Sequence, residues 1–338
     1  MRTLVISDLH LGSRLGRDVL RRPEALAGLL DALDDVGRLV LLGDTVELAE
    51  GRPREALAIA EPILRAIGTR LGAGREVIVV PGNHDLGLVR AHLRAHGVPE
   101  AVDAVLPADA GPALARLVEW LAPATVTVRY PGVWLADGVW ATHGHYLDRH
   151  LVPESAYGVS RGPLARRPVD RALPGDYEHA HRPSLTRAEA LLISRLPRPL
   201  ATLADDVAEL LRAGSMPEVA GRLRGRRLSR LTARLLGVQM QRASIPAIAR
   251  VAQRLGVDAD HVIFGHVHRL GPLEADDPAR WAGPDGRPRI VNTGSWVYEE
   301  LLLHHAGPPH PYWPGGAVLV EDGAAPRAIG LLDDLAAL

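Results

Sequence analysis

Five short stretches of this 338-residue chain carry side chains that bind hard divalent cations. They are Asp8-Leu9-His10, Gly43-Asp44, Asn83-His84-Asp85 after Pro81-Gly82, His143-Gly144-His145, and His266-Val267-His268. Alternate side chains of an extended segment point the same way, so Asp8 with His10, or either His pair, can meet one ion. Carboxylate, amide oxygen and imidazole make a donor set suited to Mn, Fe, Zn and similar metals. Taken singly, each stretch has a plain explanation. Asp44 can cap a helix or shape a turn, and Pro-Gly-Asn favours turns strongly. Five together are hard to explain that way, because every one closes a short apolar run.

Those runs are Leu4-Val5-Ile6, Leu39-Val40-Leu41-Leu42, Val77-Ile78-Val79-Val80, Val139-Trp140-Ala141 and Val262-Ile263-Phe264. Short continuous apolar runs bounded by Gly and Pro read as buried strands. Between the first three lie helical patterns, with Leu26, Leu29, Leu30 and Leu33 on one face over 23–36 and a similar pattern over 53–70. The alternation predicts an α/β sandwich whose ligands gather beyond the carboxyl ends of its strands. Further strand-like runs at 124–130, 289–293 and 316–321 are expected in a second sheet. Asn292-Thr293-Gly294-Ser295-Trp296 reads as a buried strand end that supports the sheet.

Composition removes several chemistries. There is no Cys, which excludes a thiol nucleophile, disulfides and thiolate metal sites. Every basic side chain is Arg, so a Walker-type lysine, a Schiff base and a lysine general base are excluded too. No apolar stretch approaches the length of a membrane span, and no secretory leader is legible at the start, so the cytoplasm is the expected compartment.

Residues 151–245 differ from the rest. They open with a Pro, Gly and Arg-rich stretch and then read as helices, with a clear surplus of Arg over acidic residues. The remainder is net acidic, and the whole chain carries a net charge of −1. In the strongest helical pattern, about 217–236, Leu223, Leu228, Leu231 and Leu235 alternate with Arg222, Arg226, Arg227, Arg230 and Arg234. Such a segment suits a lid for an anionic substrate, a contact with an anionic membrane surface, or a helix packed on its neighbours. The expected division is a core of 1–150 and 246–338 interrupted by a basic helical insertion over 151–245.

Asp8-x-His10, Gly43-Asp44, Gly82-Asn83-His84-Asp85, His143 and Gly265-His266-x-His268 together resemble the calcineurin-like metallophosphoesterases. The resemblance implies a two-sheet αββα sandwich and two divalent cations, Mn, Fe or Zn with Mn favoured. It implies Asp8, His10 and His268 on one cation, Asn83, His143 and His266 on the other, and Asp44 between them. It leaves His84 facing the phosphate as a proton or hydrogen-bond donor, with Asp85 expected to orient it. The implied reaction is hydrolysis of a phosphomonoester, phosphodiester or pyrophosphate by a water that the two cations bridge and acidify. Glu47 stands where many members have Asp. That detail, Ser7-Asp8-Leu9-His10-Leu11 and the helical insertion look like the UDP-2,3-diacylglucosamine pyrophosphatase branch, although His145 replaces an Asp usual there.

The implied substrate is an anionic phosphate compound, lipid-linked or nucleotide-like. Two other readings stand beside it. A nuclease is disfavoured because the insertion lacks the aromatic platforms that stack bases. A non-catalytic scaffold is disfavoured because every expected ligand position, and His84, is filled.

Overall fold

The computed structural model describes residues 1–13, 16–49, 52–151, 171–178, 243–303 and 306–335. The insertion pattern at 217–236 lies outside the described residues.

The polypeptide forms two sheets. The larger contains β1 (Arg2–Ile6), β2 (Arg38–Leu42), β3 (Glu76–Val80), β4 (Ala104–Leu106), β5 (Thr125–Tyr130), β10 (Gly316–Glu321) and β11 (Arg327–Gly330). Its order is β11-β10-β1-β2-β3-β5-β4, with β1, β2, β3 and β5 parallel and the outer strands antiparallel. The smaller sheet contains β6 (Gly132–Ala136), β7 (Val139–Thr142), β8 (His261–Phe264) and β9 (Arg289–Asn292), in that order. There β7, β8 and β9 run parallel. The five apolar runs are all strands. The 289–293 run joins the smaller sheet as expected, but the runs at 124–130 and 316–321 belong to the larger one. Strand periodicity reports an extended, half-buried segment and carries no label for the sheet it joins.

Alternation along the strands builds the layers. Val5, Val40, Leu42, Ile78 and Val80 point inward and meet Val133, Leu135, Ala141, Ile263 and Val291 of the smaller sheet. Their neighbours Leu4, Ile6, Leu39, Leu41, Val77 and Val79 point the other way, under helices α1 (Pro23–Ala32), α2 (Pro53–Leu71) and α4 (Pro112–Trp120). A short α3 (Arg90–His96) lies between α2 and α4 in sequence. Both α1 and α2 begin with Pro at the first helical position, where its missing N–H costs nothing. Beyond the smaller sheet, Trp140, Val262, Phe264 and Ile290 pack with Tyr146, Tyr177, Ile245 and Ile248. These side chains come from the turn after β7, from α6 (Pro174–Glu178) and from a helix over 243–254, here α7. Two short helices complete the set: α5 (Asp148–Leu151) and α8 (Glu300–Leu303). Each large apolar side chain buried this way contributes roughly 1.5–3 kcal/mol. The parallel strands β1, β2, β3, β7 and β8 therefore end side by side, and the polar blocks follow their carboxyl ends.

Candidate metal centre

Asp8, His10, Asp44, His84, His143, His266 and His268 are all buried, and Asn83 is half-buried. Their potential ligand atoms fall into overlapping groups: Asp8 with His10 and His268, His10 with Asp44 and His84, and Asp44 with His143 and His266. Asp44 Oδ2 is 3.1 Å from His143 Nε2 and 3.8 Å from His10 Nε2, so one carboxylate oxygen lies between the two outer groups. His268 Nε2 is 3.2 Å from Asp8 Oδ1, and His143 Nε2 is 3.1 Å from Asn83 Oδ1. All the side chains singled out in the sequence as cation ligands thus come together in one place.

The carboxylates divide their labour. Asp8 Oδ2 accepts the His266 backbone N–H at 2.9 Å and the Ser7 hydroxyl, which leaves Oδ1 facing the cluster. Asp44 Oδ1 accepts the His84 backbone N–H at 2.8 Å, which leaves Oδ2 facing it. Asp8 Oδ1 and His10 Nε2 are buried with no hydrogen-bond partner. Orphaned polar atoms of this kind are costly, and here they converge with oxygen and nitrogen donors that suit divalent cations. The residues present therefore fit divalent cations.

Local backbone geometry shows how tightly the loops are held. Asp8, His10, Asp44, His266 and His268 all have left-handed φ, between 43° and 67°. Among the described residues only Asp285 shares that property outside glycine. Left-handed backbone at non-glycine residues costs about 1–3 kcal/mol and gathers at functional sites. Glycine supplies space as well. A Cβ on Gly43 would collide with the His143 ring, on Gly82 with Asp44 Oδ1, and on Gly265 with Ser7 Oγ and the Asp8 carboxylate. Each glycine precedes one cation-facing residue and makes room for a partner from another strand.

Further groups stand around this centre, some of them without a role assigned from the sequence. Glu47 Oε2 lies 2.9 Å from His10 Nδ1 and 2.9 Å from His84 Nδ1. Glu47, noticed in the sequence only as a departure, thereby aims both rings. The Asp85 carboxylate, expected to orient His84, accepts the backbone N–H groups of Gly82 at 2.6 Å and Thr45 at 2.8 Å, stapling the loops after β2 and β3. Asp148 Oδ1 is 2.9 Å from His266 Nε2. His145, left without a role by the sequence, sits 5.6 Å from His143 between ring centroids, with Nε2 3.5 Å from Glu178 Oε1. Glu178 in turn accepts the Tyr130 hydroxyl. Asn292 donates to the Gly265 carbonyl at 2.7 Å, and the Trp296 backbone N–H reaches the Asp8 carbonyl at 3.0 Å, so the Asn292–Trp296 segment, read in the sequence as support for the sheet, also braces two of the loops.

Electrostatics follow from this crowding. Burial raises the Asp8 carboxyl, but His268 and His143 outweigh it and hold the group at about 2. Burial likewise acts to raise Asp44, and His143 and His84 pull it well below the usual carboxylate range. For Glu47 burial is again opposed, and the hydrogen bonds to His10 and His84 bring it to about 2. Burial lowers His143, yet Asp44 and Asp8 push it up to about 9. Asp85, by contrast, is raised to about 6 by burial and by Asp44. Imidazoles and carboxylates stabilise each other here in the way that incoming cations would replace.

No curated protein matches the chain. Among solved structures, the cold-active protein-tyrosine phosphatase of a psychrophile, Shewanella sp., is similar at 14% identity and a TM-score of 0.30, covering 95% of this chain and 75% of that one. A point mutant of a cold-active protein tyrosine phosphatase gives 15% identity and a TM-score of 0.29, with 95% of this chain and 75% of that one covered. The calcineurin-like phosphoesterase model matches residues 1–190, which take in β1, β2, β3 and β7 with four of the five polar blocks. Over more than half its length, and with its strand ends arranged as described, the chain belongs to the calcineurin-like phosphoesterase family.

Proposed function

We propose that this protein is a dinuclear metal-dependent phosphoesterase acting on a phosphodiester, phosphomonoester or pyrophosphate. The observation that carries the reading is the position of Asp44 Oδ2 between His143 and His10, with the orphaned Asp8 Oδ1 beside it. Asp8, His10 and His268 would hold one cation, and Asn83, His143 and His266 the other, with Asp44 shared. Two such cations supply Lewis acidity and an acidified water at neutral pH.

The chain's own residues do the rest. His84 donates Nδ1–H to Glu47, which leaves Nε2 to meet the substrate's leaving oxygen, as a donor when that nitrogen is protonated. Glu47 fixes the His84 and His10 rings from one carboxylate, so a shift in either ring is felt by the other. Asp85 keeps the β2 and β3 loops at fixed spacing and holds Asp44 and Asn83 in register. The Arg surplus of the insertion favours an anionic substrate, lipid-linked or nucleotide-like, with a membrane-surface contact as one route to a lipid and the cytoplasm as compartment. Among the described residues no helix is long and apolar enough to cross a membrane.

The test is metal-stripped protein reloaded with Mn²⁺, Fe²⁺ or Zn²⁺ and offered an aryl phosphate diester, an aryl phosphate monoester, a UDP-linked pyrophosphate and a DNA oligonucleotide. Turnover of at least one phosphate compound, lost on chelation and restored by metal, is expected. Protein that demonstrably holds two cations yet turns over none of them would establish the scaffold reading instead. Preferred cleavage of the oligonucleotide would make it a nuclease.

A further inference from the structure

Three of the imidazoles at the centre are held from outside by an acceptor. His10 Nδ1 meets Glu47 at 2.9 Å, and His143 Nδ1 meets the Leu42 carbonyl at 3.0 Å. Both rings therefore turn Nε2 inward. His266 is held the opposite way round, with Nε2 2.9 Å from Asp148 Oδ1. A carboxylate acceptor on Nε2 requires the ring proton there, and the free lone pair then belongs to Nδ1. His266 is 4% exposed, so its ring orientation is set by this contact and by packing rather than by water.

We propose that Asp148 is the positioning residue of the second cation. It selects the His266 tautomer in which Nδ1 is the ligand atom, and it strengthens that nitrogen as a donor. Metal-bound imidazoles commonly donate their other N–H to a carboxylate, and removal of that partner costs about 10–100-fold in metal affinity. The inference rests on the reading of His266 as a ligand. Asp148 opens α5, shortly after His143 in sequence, so one segment supplies a ligand for this cation and the brace of another. Arg149 Nη1 donates to the Asp176 carbonyl at 2.5 Å and ties the same segment to α6. Asp148 itself is 35% exposed on its side chain, so a change there leaves the core packing intact.

The experiment is Co²⁺ titration of the metal-stripped full-length chain, followed by calorimetry and visible absorption. Wild type is expected to take up two ions. Asp148→Ala, which removes the acceptor, is expected to weaken one binding event about 10–100-fold and spare the other. Asp148→Asn, whose amide oxygen can still accept the Nε2–H, is expected to recover part of that loss. His266→Ala should remove the event that Asp148→Ala weakens, and Asp8→Ala the other. If His266→Ala removes an event while Asp148→Ala titrates like wild type, or weakens both events equally, the role of Asp148 is refuted and the ligand reading stands. If His266→Ala keeps both events, His266 is no ligand and the proposal falls with it.

Discussion

Glu47 offers the sharpest quantitative test, because one buried carboxylate oxygen serves two rings at 2.9 Å each. Glu47 Oε1 accepts the Ala49 N–H at 3.0 Å and also lies 3.0 Å from His84 Nδ1. Glu47→Gln preserves the shape but offers one acceptor oxygen in place of two. With that oxygen on the Ala49 N–H, His84 keeps an acceptor and the His10 N–H faces the amide NH₂. A hydrogen bond involving a charged group contributes about 1.5–3 kcal/mol, so losing one predicts a fall of roughly 10–150-fold in kcat/KM. The loss is read in metal affinity, and excess Mn²⁺ restores much of the rate. A fall in kcat that persists at saturating metal reports the weaker, uncharged hold on His84. The assay is steady-state hydrolysis of an aryl phosphate diester across a Mn²⁺ series, with metal affinity measured separately by calorimetry. A Glu47→Gln protein within about threefold of wild type in both quantities, well short of the predicted loss, would refute the claim that Glu47 aims the two rings.

Exchanging Asp44 for Asn removes the charge shared between both groups, and turnover should drop by more than the ~100-fold typical of outer partners; a near wild-type rate would contradict the shared position. Gly265→Ala drives a methyl into Ser7 and Asp8, so urea denaturation should show a loss of about 1–3 kcal/mol together with weakened metal uptake, and an unchanged protein would mean the loop gives way freely. His143 must shed its proton to ligate, and its folded value is raised from 6.5 to about 9, so apparent metal affinity should climb as pH rises through that window; a flat profile in a metal-indicator competition would overturn the assignment. The same shift has a stability consequence of defined sign in the metal-free protein: the His143 contribution is full below about 6.5 and fades as pH rises through about 9, which pH-dependent urea melts would register. Replacing Arg226, Arg227 and Arg230 by Gln should raise KM for an anionic phosphate substrate and leave kcat in place; an unmoved KM would dismiss the insertion as a substrate lid.

The donor groups gathered at the centre were legible in the sequence because each closes an apolar run, and parallel strands deliver their carboxyl ends to one edge. Asp8, His10, Asp44, Asn83, His143, His266 and His268 needed only strand recognition and donor chemistry to be grouped. Glu47 and Asp148 were not legible as partners of rings. Their roles depend on which nitrogen of a distant imidazole points outward, and no local pattern encodes that. Asp85 shows a related limit: the family resemblance implied that it orients His84, and no local pattern encodes that its carboxylate meets the Gly82 and Thr45 amides. The sheet membership of 124–130 and 316–321 was equally hidden, since β5 and β10 look in sequence like any half-buried strand.

Asp8, His10, Asp44, His266 and His268, which face the centre, occupy left-handed backbone wells that only glycine enters cheaply. At His10, His266 and His268 a change to glycine would relax the backbone and empty the centre of a donor. At Asp8 and Asp44 the same change would also strip the acceptor from the buried His266 and His84 backbone N–H groups. Backbone comfort and donor geometry therefore pull in opposite directions at the three imidazoles, while at the two carboxylates the side chain anchors the loop whose strain it bears.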